Sequence, residues 1–73
     1  NPIVAFIHDA DPEEIYNQPT SEVYRRYQVF CADAAMQPMS KIVFSKQMVK
    51  RLKLEVVQRK IGKKNHRIFV KGR

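Results

Sequence analysis

The stretch Leu54–Lys71, LEVVQRKIGKKNHRIFVK, decides how this chain is built. Two runs rich in β-branched residues, Leu54 to Ile61 and His66 to Lys71, flank Gly62-Lys63-Lys64-Asn65. Strand-formers on either side of a Gly/Asn turn read as a β-hairpin. Pairing Ile61 with His66 sets Arg59 opposite Ile68 and Val57 opposite Val70. One face then holds Val57, Ile61, Ile68 and Val70. The other holds Gln58, Lys60, Arg67 and Lys71, with Phe69. The centre of the stretch, KIGKKNHR, carries four Lys or Arg in eight residues, Lys60 to Arg67. On charge alone it also fits a nuclear localisation signal. Gly62 and Asn65, lying between two β-rich runs, instead put those charges at the tip and on one side of a hairpin.

Upstream of the hairpin the apolar period changes to that of a helix. Ser40 is placed to cap a helix in which Phe44, Met48 and Leu52 recur four apart, with Val49 and either Ile42 or Val43 beside them. Lys46, Lys50 and Lys53 face away from that stripe, and Lys41, Ser45, Gln47 and Arg51 flank it. A helix of this pattern buries one side and offers the other. Before it, Thr20 or Ser21 caps a helix striped by Val23, Tyr27, Phe30, Cys31 and Ala34, with Tyr24 alongside. It is expected to stop near Ala35, ahead of Pro38. Asn1-Pro2 is a cap followed by Pro at the first helical position. Ile3, Phe6, Ile7 and Ala10 give a short first helix ending near Ala10. Between these two helices, Asp11–Pro19 (DPEEIYNQP) reads as a connector, with Ile15 and Tyr16 pinned to the core.

Charge is divided along the chain. Residues 1–35 hold Asp9, Asp11, Glu13, Glu14, Glu22 and Asp33 against Arg25 and Arg26, a balance of −4. Residues 36–73 hold Glu55 against twelve Lys or Arg, a balance of +11, and the two together give the net charge of +7. A strongly basic half is the electrostatic footprint of a nucleic-acid binder. With 73 residues the prior is one domain, spanning the chain. Cys31 is the lone cysteine, which excludes a disulfide framework and fits a reducing compartment. No apolar run is long enough to span a membrane. The chain starts at Asn1 without Met and reads as a piece of something longer or a processed product.

Three helices followed by a basic hairpin is the order of a winged helix-turn-helix, an α+β fold. The second and third helices form the helix-turn-helix pair through Ala35 to Met39, and the hairpin is the wing. A helix fits the major groove of duplex DNA, and base contacts want short-range donors near its start. The expected nucleic-acid-binding residues are Lys41, Ser45, Lys46, Gln47, Lys50, Arg51 and Lys53 on the third helix. On the wing they are Lys60, Lys63, Lys64 and Arg67. Arg25 and Arg26 stay open between phosphate contact and a solvated face. Cys31, on an apolar stripe, reads as core, as do Tyr24 and Tyr27. His8, His66 and one cysteine fall short of a zinc set. There is no phosphate-binding Gly-rich loop, no Ser/His/Asp arrangement and no organised carboxylate pair. The expectation is therefore a fragment without catalysis, metal or cofactor, and without a small-molecule substrate.

Tyr24-x-x-Tyr27-x-x-Phe30-Cys31, then Pro38-x-Ser40-x-x-x-Phe44-x-x-x-Met48, then a basic hairpin with Gly62 and Arg67, resembles a known family. It is similar to the C-terminal domain of phage- and plasmid-encoded primase–helicases, large replication proteins related to the poxvirus primase–helicase. The resemblance spans nearly the whole chain. It implies a winged-helix tail that follows a superfamily-three helicase core and contacts origin or substrate DNA, duplex or fork, in the cytoplasm of a bacterial host. The parent protein, by the same resemblance, is expected to be a ring-forming ATPase. Relatives tend to carry Gly in the turn after the Cys-bearing helix, where this chain has Ala34, Ala35 and Met36. Two other readings use the same fold: a protein-docking module of a replication complex, and a transcription regulator. A protein-docking module has no need of eleven surplus positive charges in one half.

Overall fold

The computed structural model describes residues 1–72. The fold is α+β, with three α-helices and a three-stranded antiparallel sheet. Helix α1 spans Pro2–Asp9, strand β1 Gln18–Pro19, α2 Thr20–Asp33, α3 Lys41–Leu52, β2 Leu54–Ile61 and β3 Lys64–Lys71. The sheet order is β1-β3-β2, so β3 is central. No helix among the described residues is long and apolar enough to cross a membrane.

The caps show why the helices begin where they do. Asn1 Oδ1 accepts the Ile3 amide at 2.9 Å, and Pro2 takes the first helical position. Ser40 Oγ accepts the Val43 amide at 3.3 Å, as its position before α3 predicts. Helix α2 departs from expectation. It begins at Thr20 itself, with Pro19 as its cap and no side-chain cap hydrogen bond.

The end of α2 at Asp33 explains the missing glycine. Ala35 takes the left-handed conformation at φ 54°. The Met36 amide returns to the Cys31 carbonyl at 2.8 Å, and the Ala35 amide to Ala32 at 3.2 Å. This is a Schellman turn with alanine where glycine is usual. The turn is neither widened nor replaced by a longer helix.

The core is a cluster of aromatic rings from the three helices, closed by the base of the sheet. Tyr27 and Phe44 stack with centroids 4.5 Å apart, and Phe6 meets Tyr27 edge-on at 5.6 Å. Ile3, Val23, Cys31, Met48, Leu54 and Phe69 pack around them. Cys31 is free and buried. The two tyrosines also fix the link between α2 and α3. Tyr27 Oη accepts the Met39 amide at 2.8 Å, and Tyr24 Oη donates to the Met39 carbonyl at 2.9 Å. Burial pushes the Tyr27 hydroxyl above its ordinary pKa of 10.0.

Three expectations need correction here. The connector Asp11–Pro19 holds a short 3-10 turn, Pro12–Glu14, and ends in β1, which pairs Gln18 with Phe69 and Pro19 with Ile68. Two residues, one of them Pro, give no alternation that a sequence could display. The β2–β3 ladder is shifted by two residues, with Ile61 opposite Lys64, Arg59 opposite His66 and Val57 opposite Ile68. The turn shrinks to Gly62-Lys63, with Gly62 at φ 64° supplying the positive φ such a tight turn needs. Because side chains alternate with period two, a two-residue shift keeps the sorting of faces. The face turned to the core, however, is the one carrying Leu54 and Phe69, not the one carrying Val57, Ile61, Ile68 and Val70. Phe69 is fully buried, whereas Ile61 is 48% exposed.

Candidate nucleic-acid interface

Three cations of the basic half, Lys41, Lys46 and Arg67, meet along one groove. It lies between the N-terminal half of α3 and the core-side face of β2 and β3, with a volume of about 440 Å³. Lys41, Ser45 and Lys46 enter from α3, Arg67 from β3 and Val56 from β2. Ile42 and Thr20 complete the lining. Spacing explains the helix side, since residues 41, 42, 45 and 46 share one flank of an α-helix. On the sheet side, alternation puts Val56, Gln58 and Lys60 on the same face as Arg67, and Gln58 stands directly opposite Arg67. Above the buried base, this face of the two strands is exposed and polar.

The cations here lack acidic partners. Among the described residues the ion pair found is Arg25–Glu22 at 3.8 Å, between exposed side chains on α2. Lys41 Nζ donates to Ser21 Oγ at 3.0 Å, tying the start of α3 to the start of α2. Arg51 Nε donates to Gln47 Oε1 at 3.0 Å, so these two engage each other along α3 and do not line the groove. Lys46 and Lys50 are exposed one turn apart, and Lys53 forms the left-handed cap of α3 at φ 53°. Its carbonyl accepts the Gly72 amide at 2.9 Å, and a Cβ on Gly72 would lie 2.3 Å from that oxygen. Glycine is required there by the close approach of the two backbones.

The four cations expected on a wing divide between the faces of the β2–β3 ladder. Lys60 and Arg67 share the groove-side face, and Lys63 sits in the turn. Lys64 pairs with Ile61 and therefore shares the outer face with Arg59 and His66. The expectation that Lys60, Lys63, Lys64 and Arg67 project to one side is corrected for Lys64. The two arginines of α2 also have partners within the fold. Arg25 faces Glu22, and Arg26 Nη1 donates to the Glu14 carbonyl at 3.0 Å, holding the 3-10 turn against α2.

Three groove residues escaped the sequence reading. Thr20 resembled a cap, yet it is 5% exposed and lines the groove. Ile42 was an expected neighbour of the apolar stripe of α3 and Val56 had no assigned role, and they are 70% and 40% exposed. A signal existed for Ile42, because it falls off the Phe44-Met48-Leu52 stripe by about 80–160° of helical rotation.

Residues 1–71 match the family model described as "Poxvirus D5 protein-like". The chain belongs to that family. The match covers all three helices and the whole sheet, which agrees with the extent of the sequence resemblance. Neither a comparison with curated proteins nor one with solved structures finds a match.

Proposed function

We propose that this domain is a winged helix that binds DNA for a phage- or mobile-element-associated primase–helicase during replication. The observation that carries the reading is the groove in which Lys41, Lys46 and Arg67 converge without an acidic partner. The element order supports it: helix, strand, two helices joined by the link 34–40, then two antiparallel strands with basic side chains beyond their buried base. In that frame α3 is the recognition helix and β2–β3 is the wing. Lysine and arginine on a rigid scaffold suit phosphate oxygens, and Ser45 stands among them as a short-range donor. Membership of the D5-like family is in keeping with a replication role.

The test is fluorescence anisotropy of a labelled duplex titrated with the domain between about 50 and 200 mM salt. Binding should weaken steeply with salt. Replacing Lys46 and Arg67 by Gln should weaken it further and make the salt slope shallower by up to about two. No binding at the lowest salt would overturn the reading. A second reading, a protein-docking module, has one observation in its favour. A hollow of about 330 Å³ on α1 and α2 is lined by Phe6, Phe30 and the 56% exposed Val29, beside Asp9, Asp33 and Arg25. On that reading a replication partner, not DNA, binds the domain, and Val29→Asp abolishes its capture.

A further inference from the structure

Every aromatic side chain is committed to the core. The chain has four Phe, three Tyr and no Trp. Phe6, Tyr27, Phe44 and Phe69 are core members, and Tyr16, Tyr24 and Phe30 pack against them. None lines the basic groove. Surfaces built for single strands combine positive charge with exposed aromatic rings on which unpaired bases stack. This groove has the charge and lacks the rings. What it offers between its cations is aliphatic: Ile42 at 70% exposure and Val56 at 40%.

At 70% exposure, Ile42 in the first turn of α3 holds apolar area whose burial on binding would be favourable. The major groove of duplex DNA presents one apolar group, the 5-methyl of thymine. The residues around Ile42 supply the polar remainder of such a contact, with Lys41 and Lys46 for phosphates and Ser45 for a base edge. Resting on the DNA-binding reading above, we propose that Ile42 is a specificity-determining residue that packs on thymine methyl groups in the major groove of duplex DNA. The side chain makes no bond in this role, and its contribution is the apolar area it covers.

The experiment selects the tightest sites from a randomised duplex pool with the intact domain. It then compares the selected duplex with a copy carrying uracil for thymine, and with its separated strands. The uracil copy should bind roughly fourfold more weakly for each methyl contacted. The gap should close in Ile42→Ala and persist in Val43→Ala. Val43 is also exposed, at 40%, but does not line the groove. Ala is the better helix former and Ile42 is outside the core, so the variant should fold, as its melting curve would verify. Separated strands should bind more weakly than the duplex at equal salt. Equal affinity for thymine and uracil copies, a gap that survives Ile42→Ala, a selected site without A·T pairs, or single strands held as tightly as duplex would each overturn the proposal while leaving DNA binding intact. Failure to bind any DNA would overturn both.

Discussion

The two faces of the β2–β3 ladder divide the work of the domain. The groove-side face starts in the core with Leu54 and Phe69 and continues outward through Val56, Gln58, Lys60 and Arg67. The outer face carries Val57, Ile68 and Val70 near its base, then Arg59, His66, Ile61 and Lys64. Both faces have apolar and basic members, so composition does not distinguish them. Position does. On the groove side Leu54 and Phe69 are buried against the helices and the cations stand beside a second basic element. On the outer side Ile68 is covered within the sheet, between Val57 and Pro19 in the register, and the cations face no helix.

The largest consequence is for stability. Phe69→Ala should cost about 3–5 kcal/mol, the usual loss for a buried aromatic, which in so small a domain approaches the whole stability. Ile61→Ala, on the outer face at 48% exposure, should stay within about 0.5 kcal/mol. Urea titration of the two variants reads the difference, and similar losses would mean that the faces have been assigned wrongly.

A smaller effect belongs to the link that carries α3. Tyr27→Phe leaves the Met39 amide without its acceptor and should cost about 1–3 kcal/mol. It should also change the alkaline limb. The Tyr27 pKa is raised in the folded state, so the folded protein holds that proton more tightly. Its stabilising share is complete below pH 10 and is lost as pH rises through the folded-state value. The variant should lack that share of the decline when melting temperature is followed above pH 10. Smaller still, and of opposite sign, Ala35→Gly should stabilise by about 0.5–1 kcal/mol, since glycine adopts the left-handed turn without strain. An unchanged or lower melting temperature would show that Ala35 is not strained.

How far the sequence carried depended on the length of each signal. Helices α1 and α3 were legible from Asn1-Pro2 and Ser40 and from stripes repeating over two turns or more. The stretch around Gly62 was legible as two strands and a turn. The register was not, because Lys64 and Asn65 serve equally well as turn residues and as strand residues at the exposed tip of the ladder. The core-facing side of the ladder was misassigned because four aliphatics outnumber Phe69. One fully buried ring at the base nevertheless outweighs Ile61 near the tip, where no helix reaches. Strand β1 was silent, being two residues long. For the site, the choice of Lys41, Ser45, Lys46 and Arg67, among eleven candidates, followed from charge and spacing. The roles of Thr20 and Val56 in the groove did not, because they depend on where α2 and the sheet meet.

The comparison of faces also gives the most direct test of the DNA reading. Salt dependence of duplex affinity should be measured for Lys60→Gln with Arg67→Gln, and separately for Arg59→Gln with Lys64→Gln. Each pair removes two positive charges, so net charge alone predicts equal effects. The groove-side pair should reduce the salt slope by up to about two, and the outer pair should leave it nearly unchanged. Equal reductions, or a larger one from the outer pair, would contradict a DNA-binding groove between α3 and the β2–β3 ladder.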